Sequence, residues 1–384
     1  MIAHAPHDLD ALIRLRHALH MTPDLSGQEA RTVQTLLEAL RPTSPDRIVT
    51  GLGGHGLAVV YEGARAGPSV MLRAELDALP ITEASGRPHR SRVTGVAHLC
   101  GHDGHMTALA GVGRSLSAQR PERGRVILLF QPAEETGAGA QAVLADPAFH
   151  ALAPDIGFAL HVMPGIARGA VAVAPGPASC ASVGLRIELD GREAHAATPE
   201  TGQSPARALR AILTALDAHA IPSPMGPEFK LATLCHLQMG APSFGIAPGR
   251  LAAHVTLRSR DDPVLDALEH EIIRVTRGAA EAHATRIAIT RHDPFAATVN
   301  DPGAARIIAA ACTDVGVPLA EYRFPMRASE DFGAFGQHMP IALFFLGAGR
   351  EQPGLHDPNF DFPDALLAPA HAVYMQILAR ALDA

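Results

Sequence analysis

Two adjacent glutamates, Glu134 and Glu135, follow an apolar run and precede Gly137 and Gly139. A second segment, His98-Leu99-Cys100-Gly101-His102-Asp103-Gly104-His105, offers a thiol and an imidazole separated by one residue. Thiolate and imidazole are favoured ligands for zinc-like cations, and glycines let the backbone turn tightly around an ion. A carboxylate that holds a cation, next to one that moves a proton, is what metal-assisted hydrolysis needs. Consecutive side chains on an extended segment point in opposite directions, so Glu134 and Glu135 are expected to divide these two tasks. Asp103 is expected to cap the next helix, with its carboxylate orienting a ligating imidazole.

Three further places could join this chemistry. Arg73-Ala74-Glu75-Leu76-Asp77-Ala78-Leu79-Pro80 sets Glu75 and Asp77 where a strand meets a loop, and ligands gather at the carboxyl ends of strands in open α/β sheets. His161 closes the apolar run Phe158-Ala159-Leu160, and His356 sits in Gly354-Leu355-His356-Asp357-Pro358. Each has a plain structural reading when taken alone: solvated loop acids, a buried cysteine in a turn, acids at a helix start, or a strand-end histidine.

The elements that must position these residues are legible in the periodicity. Leu9, Leu12, Ile13, Arg16 and Leu19 give a helical stripe, and Ser26 with Glu29 forms a capping-box pattern before a helix over Ala30 to Leu40. Leu57 to Tyr61, Val70 to Arg73, Val126 to Phe130 and Ile156 to His161 read as buried strands, and Asp103 to Leu116 as a helix. Strands alternating with helices predict an α/β core with a largely parallel sheet. The pattern changes after Pro175-Gly176-Pro177. Ser182 to Leu189 alternates as a half-exposed strand does. A helix near Pro205 to Ala218, strands at Lys230 to Gln238 and Leu251 to Arg258, and a long helix over Pro263 to His283 follow. Ile341 to Leu346 and a helix from Asp364 onward return to core character. The expected organisation is a discontinuous core domain, residues 1–178 and 293–384, with an inserted α+β domain over 179–292.

Composition sets the outer bounds. The 384 residues are 47% apolar and 18% charged, a globular balance. A formal net charge of −7 argues against a nucleic-acid surface. Met1 to His20 lacks an apolar signal core, and no stretch is expected to be long and apolar enough to span a bilayer. Cys100, Cys180, Cys235 and Cys312 show no framework spacing, which favours a reduced, cytoplasmic protein.

Together these motifs resemble the amidohydrolase branch of the aminoacylase and carboxypeptidase-type dinuclear metallopeptidases, which includes hippurate hydrolase and the auxin–amino-acid conjugate hydrolases. The resemblance also rests on Arg16-His17-Ala18-Leu19-His20, Pro23-Asp24-Leu25-Ser26, and His161-Val162-Met163-Pro164. It continues through Gly191 to Pro199 around His195, Ala328-Ser329-Glu330-Asp331-Phe332, and Leu355-His356-Asp357-Pro358-Asn359-Phe360-Asp361-Phe362. It covers nearly the whole chain in order.

The resemblance implies two divalent cations (zinc, manganese, cobalt or nickel) held by Cys100, His102, Glu135, His161 and His356. Glu134 would be the general base, with Asp77 and the neighbouring Glu75 supporting the site. The core would be the catalytic domain and the insert a lid and dimerisation domain, giving a homodimer or higher homo-oligomer. From the insert, His195 would reach the partner subunit's active site and polarise the scissile carbonyl, and Arg258 would bind the substrate carboxylate. The implied reaction is cleavage of the amide of an N-acyl amino acid.

The chain departs from the pattern at three places. Glu75 stands where Asp is usual, Gly245 where an Asn that helps bind substrate is usual, and Glu200 where His is frequent. A dipeptidase or carboxypeptidase on the same scaffold is the alternative. A non-catalytic metal-binding protein would need a broken ligand set, and a dinuclear phosphoesterase would need a basic phosphate cluster that the sequence does not display.

Overall fold

The computed structural model describes residues 9–221 and 224–383. The first eight residues, part of the segment expected to lack a signal core, lie outside the described residues. The chain divides into two compact units.

The first unit comprises the chain up to residue 178, residues 298–324, and residues 330 onward. Its seven-stranded sheet runs, from one edge, Arg47–Leu52, Gly56–Glu62, Arg123–Gln131, Arg65–Glu75, Ile156–Pro164, Ile341–Gly349 and Val171–Ala172. The four middle strands are parallel, and the outer strands join them antiparallel. The parallel strands read as unbroken apolar runs because helices cover both faces. Leu72, Leu128, Phe158, Leu160 and Phe344 are shielded from solvent, packed with Leu12, Leu109, Ile308 and Val373 of four helices. Those helices are Leu9–Met21, His102–Ala118, Pro302–Val315 and Leu367–Asp383.

Two expectations change here. The helical stretch Asp364–Asp383 is long and apolar enough to cross a membrane by length and composition. Its apolarity serves the core instead: Leu367, Val373, Tyr374, Ile377 and Leu378 are buried in it. The helix Ala30–Leu40 forms without the capping box. Ser26 Oγ donates to Asp77 Oδ2, and Glu29 accepts from the N–H groups of Gly27 and Ala133. These two side chains brace the site loops, and Asp24 takes the helix end in their place, its Oδ2 accepting from Thr32 N at 2.9 Å.

The second unit comprises residues 179–297 and 325–329. Its four-stranded antiparallel sheet has the order Lys230–Met239, Arg250–Ser259, Ala181–Asp190, Arg286–Phe295. Val183, Leu185, Ile187, Val255 and Leu257 face helices Ala206–Asp217 and Asp262–Ala282. The longer helix is capped by Asp261, whose carboxylate accepts from Val264 N at 3.1 Å. The opposite sheet face is open, as the alternation of apolar and polar residues requires.

Candidate active site

In the first unit the carboxyl ends of the parallel strands deliver the proposed residues. Glu75 and Gln131 are the last paired residues of their two strands, and His161 lies opposite Phe345 near the end of the third. Helix His102–Ala118 begins at His102, after Gly101 at φ 87°. A Cβ on Gly101 would lie 2.5 Å from Val162 Cγ1, so the approach of the ligand loop to the strand demands glycine.

These elements bring the five candidate ligands together. The donor atoms of Cys100, His102 and His161 lie within 4.8 Å of one another, as do those of Cys100, Glu135 and His356. Cys100 Sγ is 3.4 Å from His161 Nε2, and His356 Nε2 is 3.6 Å from Glu135 Oε2. His102 Nε2 is 3.9 Å from both Glu134 and Glu135. Ligands of one tetrahedral cation, with bonds of about 2.0–2.3 Å, stand roughly 3.3–3.8 Å apart. His102 Nε2, Glu135 Oε1 and Asp77 Oδ1 are buried with no hydrogen-bond partner. Buried polar atoms are ordinarily satisfied, so orphaned donors converging at this spacing fit a cation-binding set.

Two local expectations are corrected. Glu134 and Glu135 lie in a tight turn, not on an extended segment, after Ala133 at φ 51°. Both carboxylates therefore aim at the same imidazole, and the turn, held by Gly137 N to Glu134 O, does the positioning. Asp103 does not cap its helix or orient a ligand. Its carboxylate accepts from Arg16 and His20 at 2.9 Å. His102 is oriented by Asp77 instead: its Nδ1 donates to the Asp77 carbonyl at 2.8 Å, while Asp77 Oδ2 accepts from Glu135 N at 3.0 Å.

His356 has φ 66°, an uncommon backbone state for a non-glycine residue. Its N–H donates to Leu99 O, which joins its loop to the cysteine segment.

Residues 71–380 match the profile of peptidase family M20/M25/M40. The chain belongs to this family. N-acetyl-L-cysteine deacetylase of Bacillus subtilis (strain 168) is 29% identical over 373 residues, covering 97% of this chain and 88% of the relative. Hippurate hydrolase of Campylobacter jejuni is 28% identical over 371 residues, covering 96% of each chain. The crystal structure of a Bacillus subtilis dinuclear metal-binding peptidase of family M20 shares the fold, with a TM-score of 0.81 at 24% identity over 98% of each chain.

Beneath the cluster of this M20 member lies a polar network that the motifs alone did not assign. Arg73, fully buried, donates from Nε to Gln131 Oε1 at 2.9 Å and from Nη1 to Glu75. Its Nη2 lies 2.6 Å from Asp331 and 2.9 Å from Glu330. Asp331 also accepts from Gln131 Nε2 and from Ala140 N, fastening both ends of the loop that carries Glu134 and Glu135. Glu75 accepts from His105 Nδ1 at 2.8 Å, and His105 Nε2 accepts from Val162 N, which fixes the strand beside His161. The longer acid at position 75 thus spans two cationic partners.

The electrostatics follow from burial. Burial, then the acids Glu330 and Glu135, raises the Glu134 carboxyl well above its ordinary range. Burial pushes Glu135 up to about 7 against the pull of His102. Burial and the acids Glu135 and Glu134 push the Cys100 thiol up. Burial depresses His161 to about 3, so its ring is neutral and available as a ligand.

In the second unit, His195 is exposed and its strand pairs with Ile246. Gly245 lies beside it, its carbonyl accepting from Ala196 N at 2.9 Å. Arg258 donates to Arg327 O at 2.9 Å and to Ser329 Oγ.

Proposed function

We propose that this protein is a metal-dependent amidohydrolase that cleaves the amide of N-acyl amino acids, with Cys100, His102, Glu135, His161 and His356 holding two divalent cations. The convergence of a thiol, three imidazoles and a carboxylate in one cluster, buried at Cys100, His102 and His161 and open to solvent at His356, with orphaned donors, carries the reading. The relatives named for deacylation of N-acetylcysteine and for hippurate hydrolysis support the substrate class. The mixed donor set suits zinc, manganese, cobalt or nickel.

When bound, such cations acidify water and draw charge from a carbonyl. Glu134 is the base. Both glutamates share a trio with His102, but Glu135 also shares one with Cys100 and His356, whereas Glu134 shares its other one with Glu330 and Asp331. Glu134 therefore stands at the edge of the ligand set, in an acid-rich environment that raises its affinity for a proton. It takes a proton from the attacking water and returns it to the leaving nitrogen. Asp77 holds His102 and the Glu135 backbone in place.

His195 is read as a donor to the substrate carbonyl in the partner subunit's site. Its Nδ1 accepts from Ala197 N at 3.0 Å, so the neutral ring carries its proton on Nε2. Arg258 is read as the group that pairs with the substrate carboxylate. The second unit is read as the lid and dimerisation module. Its edge strand Lys230–Met239 exposes Leu234 and Leu237, an open edge suited to pairing with a second copy. Four unpaired cysteines fit a reducing, cytoplasmic setting.

Glu134→Ala is expected to abolish turnover of N-acyl amino acids while metal content persists. Retained activity would refute its role as base, and metal loss would show that the two glutamates exchange roles. Mixing inactive His195→Ala and Glu134→Ala chains should restore activity through hybrid dimers, and no recovery would reject supply across the interface. A panel of dipeptides beside the acyl amino acids separates the dipeptidase reading.

A further inference from the structure

Three arginines gather in the second unit with no acid among them. Arg258 is in strand Arg250–Ser259 and Arg260 follows directly after its end, and both act with Arg327 on the buried Cys180. Arg327 arrives from a remote segment: its carbonyl accepts from Arg258, and its guanidinium lies over the Phe229 ring, 5.9 Å from the centroid. Among the described residues no carboxylate lies within ion-pair distance of any of the three, although Arg16, Arg73 and many surface arginines have such partners.

The surroundings are built for a polar guest. Ser329 Oγ receives Arg258 and donates to Ser182 Oγ at 2.9 Å, which places two hydroxyls beside the guanidinium. Arg260 Nε is shielded from solvent with no hydrogen-bond partner. Arg258 is half-buried, and burial together with Arg327 lowers its affinity for its proton. The buried Cys180 thiol feels all three cations.

A partly desolvated guanidinium without an anion is costly, and one carboxylate satisfies one guanidinium bidentately. A monoanionic guest would leave two cations unmatched. We infer that this cluster is a recognition site for two carboxylates, so that the preferred substrates are N-acyl amino acids with an acidic side chain. Arg258 pairs with one carboxylate, and Arg260 and Arg327 take the second. This extends the reading of the protein as an acyl amino acid hydrolase and rests on it for the choice of substrate.

N-acetyl-L-glutamate and N-acetyl-L-glutamine differ by one charge at nearly constant shape. With the metal-loaded enzyme, kcat/KM should favour the glutamate by about ten- to a hundredfold, the worth of one charge-assisted contact. Arg327→Ala and Arg260→Gln should each shrink that ratio toward unity. Equal turnover of the two compounds, or a ratio that neither variant moves, would overturn the inference while leaving the hydrolase reading intact.

Calorimetric titration of the same pair into Glu134→Ala protein reads the site without turnover. Preferential binding of N-acetylglutamate there, in a protein whose wild type cleaves neither compound, would sustain the site and reject the hydrolase reading. Inorganic phosphate binding more tightly than N-acetylglutamate would overturn the assignment to carboxylates.

Discussion

Replacing Arg73 by Met tests whether the network under Glu134 is held by charge. Methionine roughly fills the volume of the arginine stem, so the main change is loss of the guanidinium. Glu75, Glu330 and Asp331, all within 2% of full burial, then share no cation with one another. Deleting one partner of a buried pair costs about 3–5 kcal/mol, against a total of about 5–15 kcal/mol for a native domain. At about 2–4 °C per kcal/mol for a unit of this size, thermal unfolding of the first unit should fall by about 6–20 °C.

The pH dependence has a defined sign. Burial already lifts the Asp331 carboxyl to about 7 despite Arg73, whereas in the unfolded chain it titrates near about 3.9. A folded-state value raised above the unfolded one means that stability falls as pH rises through that window. Removing Arg73 lifts Asp331 further, so the deficit of the variant should be larger near about pH 8 than near about pH 5.5, where its acids can hold protons. Scanning calorimetry of wild type and Arg73→Met at both pH values, with and without chelator, checks this. A variant within about 1 kcal/mol of wild type at the higher pH, well short of the buried-pair cost, would refute the argument. So would a deficit that grows on acidification.

Metal uptake by chelated protein should strengthen as pH rises through the neutral range, because burial holds Glu135 at about 7 and the Cys100 thiol higher still. Both must release protons to bind, and a pH-independent affinity in competition with a chromophoric chelator would reject them as ligands. Asp77→Ala removes the contact to the Glu135 backbone and should weaken metal binding about 10–100-fold in the same assay. Gly139→Ala would set a Cβ 1.7 Å from Pro132 O. The glutamate turn must then open, at a cost of about 1–3 kcal/mol, with loss of turnover. Gly245→Asn meets nothing within 4 Å and no left-handed backbone. It should leave stability within about 0.5 kcal/mol, and any change it makes should appear in KM for acyl amino acids.

Much of this was legible because the decisive signals are local. The parallel strands announce themselves as apolar runs, and Cys100-Gly101-His102 and Glu134-Glu135 carry ligand chemistry in adjacent residues. What stayed hidden depends on side chains meeting across long separations. Ser26 and Glu29 satisfy the capping-box spacing, yet Asp77 and Ala133 compete for them and win. Asp103 has the right type for a cap, but Arg16, buried 87 residues away in sequence, claims it. The helix Pro302–Val315 could have been read from Asp301-Pro302 at its start and Gly316 at its end. The arginine trio could not, since Arg327 joins Arg258 only through the fold.

The acid content of the centre bears on the proposed division between base and ligands. Glu75, Asp77, Glu134, Glu330 and Asp331 are buried, Glu135 is nearly so, and Arg73 is the permanent cation among them. Such a set must carry protons or bound cations, because isolated buried carboxylates are too costly to ionise together. Cations held by Cys100, His102, Glu135, His161 and His356 would relieve the repulsion on the ligand side and invert the protonation preference of Glu135 and Cys100. Glu134 gains less from them, because Glu330 and Asp331 press on it from the other side. A residue kept basic by neighbouring acids, beside a cluster kept ionised by cations, can accept a proton from water and give it up again. The two glutamates are chemically identical, so the difference in their proposed roles comes from these surroundings alone.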